Sequence, residues 1–338
     1  MPQGQNKPTQ KTIAKKMGLA VTTVSRALKG DPKIAEATRV EVARVAEEIG
    51  YVPDRAAQRL RTGKTRVISL ILNPHDEMLG FSNRMISGIS QSVAGTDYHL
   101  TITPSFDDDD QLAPIKRLVR NGLADGILLT RTSNFDERVR YLMEQDFPFL
   151  THGQTDFSQK HNFVDFDNDS FAYFSAKRLV KKGSNKLAII LPRAQLTFHQ
   201  HLRYGFMRAV SEEGLEHVIP DNVALDSPPE MVKAWIKALC AERKRGTVFG
   251  FVCPGEACFL GLHAALRDCG MQHGRDYHAV VKTSSAIVEQ IDPSLDRVFE
   301  DIQEAGRFMG QNMLAVLKGN TDYVSQYIQK PIFSFGID

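Results

Sequence analysis

Residues 12–53 read TIAKKMGLAVTTVSRALKGDPKIAEATRVEVARVAEEIGYVP, and this stretch decides how the first part of the chain folds. Thr12 can cap a helix whose apolar positions share one face, and Gly18 can end that helix in a left-handed turn. A second helix from about Val21 to Leu28 follows almost at once, and a third is expected over roughly Glu36–Ile49. The sequence therefore predicts three short helices with a sharp turn between the first two.

The faces of these helices indicate which side chains can meet a partner. The second helix turns its apolar residues inward, so its outward face consists of Val21, Thr22, Ser25 and Arg26. The third helix is expected to turn one row of residues towards the other two helices, namely Val40, Ala43, Val45 and Ala46. Such a pattern is typical of a DNA-binding helix-turn-helix, although helical hairpins that never bind DNA have the same periodicity.

The identities of the residues separate these two interpretations. The order TIAxxxGxxxTTVSRALxG, then TRxxVxxxAxxxGYxPxxxAxxLRTG, closely resembles the lactose-repressor (LacI/GalR) family of transcription regulators. The resemblance implies an all-α helix-turn-helix domain over residues 1–52. It implies that Val21 and Thr22 read base edges and that Arg26 contacts a guanine in the major groove. The phosphate contacts that it implies are Thr12, Thr23, Ser25 and Lys29.

Two positions depart from the family pattern. Ala20 and Ala35 stand where the family usually has a serine that caps the second and third helices. A side-chain cap is typically worth about 1 kcal/mol, so each helix is expected to begin without that contribution.

Residues 53–65 form a predicted hinge between this head and the remainder of the chain. Asp54 is a plausible N-cap, but the segment after it is too short to remain helical alone in water. The family resemblance implies a conditional hinge helix that enters the minor groove beside its dimer mate, with Arg55, Ala57 and Leu60 as DNA contacts. A flexible basic linker would have the same composition, so both interpretations stay open.

The charge distribution favours a polyanionic partner at one end of the chain. The net charge is +8 over Met1–Arg66 and −6 over the remaining residues. Phosphate attraction supplies most of the sequence-independent affinity for DNA, which fits a basic head on a mildly acidic body. A solvated basic tail would give the same net charges.

The body, residues 66–338, alternates strand-like and helix-like segments in two series. Alternation of this kind predicts parallel sheets with helices on both faces, and two series predict two lobes. The body resembles the periplasmic sugar-binding-protein fold carried by the same family, with landmarks ADGILL (Ala124–Leu129), FDND (Phe166–Asp169) and RVFEDIQEAG (Arg297–Gly306). The resemblance implies crossings between lobes near Asp165, Pro293 and Tyr323. The expected first lobe is then about 66–164 and 293–322, and the second about 165–292 and 323–338.

A ligand is expected between the lobes, at the carboxyl ends of the strands. The candidate effector contacts follow strands in the sequence, and they are His75, Asp76, Phe81, His152, Asp167, His201, Arg203, Glu256, Lys282 and Ser284. Lys282 and Ser284 replace a glycine and an aspartate common in the family, which argues against a simple monosaccharide. The stretches FPFLTHGQTD (147–156) and VVKTSSA (280–286) look most like regulators of α-glucoside utilisation. Solvated surface or satisfied core is the competing interpretation at each position.

Other classes of protein lack support in the sequence. No P-loop, GxSxG, HExxH or strand-following GxGxxG is present, so we expect no catalytic residue and no cofactor. The four cysteines lack zinc-site spacing, and we expect no metal, because the loop Asp107–Asp110 is better explained as solvated. The absence of a membrane span and of a secretory signal favours the cytoplasm.

The expected function is therefore a homodimeric regulator of transcription, a repressor whose affinity for operator DNA is controlled by a sugar or sugar derivative. Two alternatives remain at this stage. An architectural DNA-binding protein would explain the head and hinge but leaves the cleft without a use, and a carbohydrate-binding protein without a regulatory role would explain only the body.

Overall fold

A computed structural model of the chain describes residues 8–52, 59–60, 62–73, 80–106, 110–319 and 325–336. The chain divides into two compact units, Met1–Thr65 and Arg66–Asp338. The first is helical and the second is an α/β body with two mainly parallel sheets, so the predicted fold class is confirmed.

The first unit contains helices Gln10–Met17, Val21–Ala27 and Glu36–Glu48. The first helix begins three residues earlier than predicted, because its cap is Thr9 rather than Thr12. The Thr9 side chain accepts a hydrogen bond from the Thr12 amide, and the Thr12 hydroxyl accepts one from the Thr9 amide. This reciprocal capping box satisfies two amides that would otherwise lack partners.

The core of the head consists mainly of small and β-branched residues, and its buried members are Ile13, Ala14, Val24, Ala27, Val42, Val45 and Ala46. The predicted burial of Val40 and Ala43 is wrong, because both are exposed. Val42, Val45 and Ala46 form the i, i+3, i+4 row that packs inward, and Ile49 continues it. Ala20 and Ala35 cap their helices without a side-chain hydrogen bond, as expected.

The strands of the body are β1 Val67–Leu72, β2 His99–Pro104, β3 Gly126–Leu129, β4 Phe149–His152, β5 Phe163–Phe166, β6 Lys186–Ile189, β7 Glu216–Val218, β8 Phe249–Cys253, β9 Tyr277–Thr283, β10 Asp296–Phe299, β11 Gln326–Gln329 and β12 Ile332–Ser334. One sheet has the order β11-β5-β4-β3-β1-β2 and the other β12-β10-β9-β8-β6-β7. Every described pair is parallel except β10 with β12. In each sheet the strand order reverses near its first strand, which leaves a crevice at the carboxyl ends of the strands.

The helices that cover these sheets are Phe81–Val93, Leu112–Arg120, Glu137–Glu144, Asn168–Lys181, Thr197–Glu213, Pro229–Ala241, Glu256–Asp268, Ile287–Ile291 and Ile302–Leu317. Helices Phe81–Val93 and Ile302–Leu317 pack closely in the first lobe. A Cβ added to Gly88 would lie 2.0 Å from the carbonyl oxygen of Gln303, so the two backbones can approach only because Gly88 has no side chain.

The chain crosses between the lobes after Phe166, after Phe299 and after Gln329. The first crossing lies next to the expected Asp165, whereas the second and third come later than the positions expected near Pro293 and Tyr323, the last of which lies outside the described residues. The difference arises because β10 pairs with β9 of the second sheet and β11 pairs with β5 of the first. The partner of β11 is distant in the sequence, with Gln326 opposite Phe163, so its sheet cannot be assigned from local pattern.

Candidate functional site

The second helix of the head, Val21–Ala27, presents a mixed face to solvent. Val24 and Ala27 are buried in the head core, whereas Val21, Thr22 and Arg26 are exposed. The outward face predicted from periodicity therefore exists, with Ser25 at its partly buried edge. A short helix with hydroxyl and guanidinium groups on one side has the donors and acceptors that base edges require.

Arg26 is held in place by an acidic neighbour. Its Nε donates a 2.8 Å hydrogen bond to Oδ2 of Asp31, which lies just beyond the helix. This hydrogen bond, followed by one from the Lys33 amide, lowers the pKa of Asp31 from its ordinary value. Arg26 thus projects from the helix as a half-exposed, oriented guanidinium whose present partner is another surface side chain.

The residues expected to bind phosphate lie on the first two helices or just after the second. Thr12 is exposed in the first turn of its helix, Lys29 is exposed after the second helix, and Thr23 and Ser25 are partly buried. Of the hinge contacts, Arg55 and Ala57 lie outside the described residues. Leu60 lies in a short helical stretch and its side chain is 90% exposed.

The body has a cleft between its two lobes at the carboxyl ends of the strands. The first lobe contributes Asn73, Phe81, Thr130, Arg131, Thr132, His152, Gly153 and Asp165, and the second contributes Asn168, Phe198, Pro254, Lys282 and Glu300. The cavity has a volume of about 90 Å³, several times the roughly 10–15 Å³ that one water needs. Phe81 and Phe198 approach from opposite lobes among amide, hydroxyl and carboxylate groups, which suits a ligand with an apolar ring face and a polar rim.

A buried charge cluster forms the floor of the cleft on its second-lobe side. Lys282 Nζ lies 2.7 Å from Glu300 Oε2 and donates a 3.1 Å hydrogen bond to Asn168 Oδ1. The same ammonium lies 4.9 Å from the ring centre of Phe166. Asn168 and Glu300 follow β5 and β10, so Lys282 connects two of the three segments that cross between the lobes.

His152 places an uncharged imidazole in the cleft. Burial is the main reason that its pKa lies below the usual value, and it outweighs the opposing effects of Glu300 and Asp165. Its Nε2 is 4.0 Å from Glu300 Oε1, and its ring meets Phe81 edge-on with a centroid distance of 5.5 Å. At neutral pH this side chain can both donate and accept a hydrogen bond from a neutral ligand.

Three of the ten predicted effector contacts, Phe81, His152 and Lys282, line this cleft. His75 and Asp76 lie outside the described residues. The others lie elsewhere: Asp167 caps helix Asn168–Lys181 and bonds Lys330, His201 and Arg203 are on helix Thr197–Glu213, and Glu256 and Ser284 are buried together.

Glu256 and Ser284 support the wall of the cleft without lining it. One carboxylate oxygen of Glu256, Oε1, accepts hydrogen bonds from the Ser284 amide at 2.7 Å and the Ser285 amide at 3.1 Å. Both Glu256 and Ser284 are completely buried. Together they fix the turn that follows β9, directly after Lys282 and Thr283.

Several cleft residues were not predicted from the sequence. Thr130, Arg131 and Thr132 follow β3 directly, and the strand ADGILL that precedes them was recognised, so position after a strand was a usable signal. Glu300 follows β10, a strand that was not predicted. Asp165 lies within β5, where an acidic residue in a buried strand is itself unusual.

Other kinds of site are not evident in the described ranges. Among these residues there is no group of three or more His, Cys, Asp or Glu side chains that could hold a metal ion. The cysteines are free thiols, buried or partly buried. No described helix has both the length and the apolar character needed to span a bilayer.

Two family models match the chain. Residues 9–54 match "Bacterial regulatory proteins, lacI family", and residues 65–276 match "Periplasmic binding proteins and sugar binding domain of LacI family". The second match alone covers more than half of the chain.

Curated proteins and solved structures show the same likeness. The chain is 28% identical to the HTH-type transcriptional regulator AglR of Rhizobium meliloti (strain 1021), over 94% of this chain and 90% of AglR. It is 31% identical to RafR of Escherichia coli over 61% of this chain and 62% of RafR. Its fold matches the lac repressor dimer bound to operator and the anti-inducer ONPF, with a TM-score of 0.82, 14% identity and coverage of 97% and 98%. It also matches a CelR–cellobiose complex, with a TM-score of 0.69, 19% identity and the same coverage.

Proposed function

The chain belongs to the LacI family of bacterial regulatory proteins, and we propose that it is a transcriptional repressor whose affinity for operator DNA is controlled by a sugar. In this proposal residues 1–52 bind DNA, residues 53–65 are the hinge, and residues 66–338 bind the effector and dimerise. The observation that supports effector binding is the cleft, which Phe81 lines from the first lobe and Phe198 from the second, together with polar groups of both lobes.

We propose that the protein binds operator DNA as a homodimer with two-fold symmetry. Thr22 and Arg26 are the exposed polar groups best placed to reach base edges, and Lys29 supplies a phosphate contact. The net charge of +8 over Met1–Arg66 supports attraction to the phosphate backbone. Palindromic half-sites about one helical turn apart would match such a dimer.

We propose an uncharged sugar, with α-glucosides as the first class to test. Lys282 is paired with Glu300, Arg131 lies 3.7 Å from Asp226, and His152 is neutral, so these three groups of the cleft offer little net charge to a phosphate. The hydroxyl, amide and carboxylate groups supply the paired hydrogen bonds that sugar hydroxyls make. The likeness to CelR in its complex with cellobiose supports an uncharged sugar, and the stretches 147–156 and 280–286 are the reason that α-glucosides come first.

We propose further that the protein acts in the cytoplasm, where operator DNA is accessible, and that it has no catalytic role. Its relatives AglR and RafR are named as HTH-type transcriptional regulators, which supports a regulatory role. A ligand shifts the DNA affinity only to the extent that it binds one arrangement of the lobes more tightly than the other. The resulting coupling free energy is typically about 1–3 kcal/mol.

The test combines a thermal-shift screen with DNA binding. Maltose, cellobiose, ribose and glucose 6-phosphate are added to the full-length protein, because a ligand that binds the native state raises the melting temperature. A sugar that raises it should change the affinity for a duplex selected from a random pool. Phe198→Ala should abolish the thermal shift and keep the DNA affinity. Failure to enrich any duplex, or DNA affinity indifferent to every sugar that binds, would contradict the proposal.

A further inference from the structure

The loop after β3, residues 130–133, is the most constrained part of the cleft wall. Thr130, Arg131 and Thr132 all line the cavity. Arg131 has a φ of +54°, a left-handed conformation that residues with a Cβ seldom adopt. Such a conformation persists only where surrounding groups hold it.

Buried side chains of the next helix hold this loop. Arg138 Nη2 donates a 2.9 Å hydrogen bond to the carbonyl oxygen of Arg131 and a 3.2 Å bond to that of Thr130. Asp136 Oδ2 accepts a 3.1 Å hydrogen bond from the amide of Ser133. Both side chains are almost completely buried, so solvent does not compete for these bonds.

Asp136 in turn orients Arg138. Its Oδ1 accepts a 3.0 Å hydrogen bond from Arg138 Nε, and its Oδ2 lies 2.7 Å from Arg138 Nη2. Burial alone would raise the pKa of Asp136, but the hydrogen bond and charge of Arg138 outweigh it, so the pKa is lowered. The pair is therefore a charged fork in which Arg138 Nη2, besides contacting Asp136, donates to the two carbonyl oxygens of the loop.

The same loop contacts the second lobe. The carbonyl oxygen of Thr132 accepts hydrogen bonds from the amide of Thr197 at 3.0 Å and from its hydroxyl at 3.2 Å. Ser133 and Leu196 form an isolated antiparallel bridge, and Arg131 Nη2 lies 3.7 Å from Asp226 Oδ2. These contacts join the lobes independently of the three crossings.

Thr197 is the first residue of helix Thr197–Glu213, and the cap Leu196 provides no side-chain hydrogen bond. Amides in the first turn of a helix have no partner within the helix. Among the described residues, the Thr197 amide donates its hydrogen bond to the carbonyl oxygen of Thr132 in the other lobe. Separation of the lobes must therefore expose the Thr197 amide to water.

We propose that Asp136 and Arg138 are positioning residues that fix the loop 130–133 in the conformation that both lines the effector cleft and latches the two lobes together. By holding the latch they set how much of the ligand-free protein is closed, and hence the affinity of the cleft for its ligand. The statement about ligand affinity rests on the proposed function, whereas the latch itself does not.

Amide hydrogen exchange on the ligand-free, full-length chain tests the latch directly. In Arg138→Lys the cation beside Asp136 is kept, so the fold is preserved, but the fork that reaches two carbonyl groups is lost. We expect exchange at Thr197 to accelerate by about tenfold, the effect of losing one or two net hydrogen bonds. The Ile127 amide, which is bonded to Pro148 within the first-lobe sheet, is the internal reference and should not change.

Arg140→Met is the matched control, because Arg140 is exposed and lies two residues further along the same helix. It should leave Thr197 exchange unchanged. A merely structural role for Arg138 would accelerate Thr197 and Ile127 by the same factor, and that result, or an unchanged Thr197, overturns the proposal. Arg138→Met should enlarge the effect at Thr197 if it folds.

A double-mutant cycle tests the link to the strained backbone of Arg131. Glycine adopts a φ of this kind without steric cost, so Arg131→Gly needs less support from Arg138. The acceleration caused by Arg138→Lys should therefore be smaller in the Arg131→Gly background, and equal acceleration in both backgrounds would contradict this step. Neither measurement uses sugar or DNA. The latch can therefore be shown or refuted whether or not the proposed function holds, and the sugar and DNA experiments are equally independent of the latch.

Discussion

Lys282 Nζ lies 2.7 Å from Oε2 of Glu300, and the two side chains are only 5% and 3% exposed. Breaking such a pair leaves a buried charge without compensation, which typically costs about 3–5 kcal/mol. We therefore expect Lys282→Met to lower the free energy of unfolding by roughly that amount, measured by urea denaturation. The double variant Lys282→Met with Glu300→Gln should recover most of the loss. Equal losses in the single and double variants would show that the pair is not the cause.

The close approach of helices Phe81–Val93 and Ile302–Leu317 predicts that replacing Gly88 by a residue with a side chain destabilises the protein. In Gly88→Ala the added Cβ would meet backbone atoms of Gln303 and Arg307, which cannot rotate away. The expected loss of stability is at least about 1–3 kcal/mol. Gly261 is the matched control, because it lies in helix Glu256–Asp268 with nothing within 4 Å of the added Cβ. Gly261→Ala should stabilise the protein by about 0.5–1 kcal/mol. Similar effects of the two substitutions would contradict this account of the packing.

The uncapped start of the second helix of the head offers a stabilising substitution. Ala20 makes no side-chain hydrogen bond there, so Ala20→Ser should add a cap worth about 1 kcal/mol. Thr9→Ala should remove a similar amount by breaking the capping box. Exchange of the buried Val24 amide should slow about fivefold in the first variant and accelerate in the second. No change at Val24 in either variant would show that these caps contribute nothing.

Stability should fall on mild acidification. Burial is the main cause of the lowered pKa of His152, His161, His273 and His278. Their folded pKa values lie below the unfolded value of about 6.5, so their contribution is complete above pH 6.5 and is lost as the pH falls from there towards the folded values. The melting temperature should be level from pH 8 to 7 and fall by pH 5.5. His152→Gln should make the fall shallower. A melting temperature that is level or rises down to pH 5.5 would contradict the assignment.

Local pattern was sufficient for the three helices of the head and for the alternation of strands and helices in the body. Ile13 and Val24 are buried where a 3.6-residue period places them, β1 is apolar except for Ser69, and every residue of β3 is buried. The same reasoning failed at Val40, because Val40, Val42 and Val45 offer two rows of β-branched residues and only tertiary packing chooses between them.

The cleft was only partly predictable because its residues are joined by long-range pairing. Glu300 enters the site only because β10 pairs with β9, and Asn168 enters through the crossing after β5. Glu256 and Ser284 were predicted as effector contacts but are buried against each other, because whether a buried polar group faces the ligand or another side chain depends on its partners in space. Arg138 has no sequence signal for its role, because its acceptors are backbone carbonyl groups.

The most direct test of the central claim is a comparison of Arg26→Ala with Lys29→Ala on duplexes selected from a random pool, titrated by fluorescence anisotropy at several salt concentrations. If Val21–Ala27 reads base pairs, the wild-type protein should enrich a two-fold symmetric sequence. Arg26→Ala should lose about 1–3 kcal/mol of discrimination at one base pair of each half-site. Lys29→Ala should weaken binding to all duplexes alike and reduce the salt slope by about one. Unchanged base preference in Arg26→Ala, or a wild-type protein that enriches no sequence at low salt, would contradict the account.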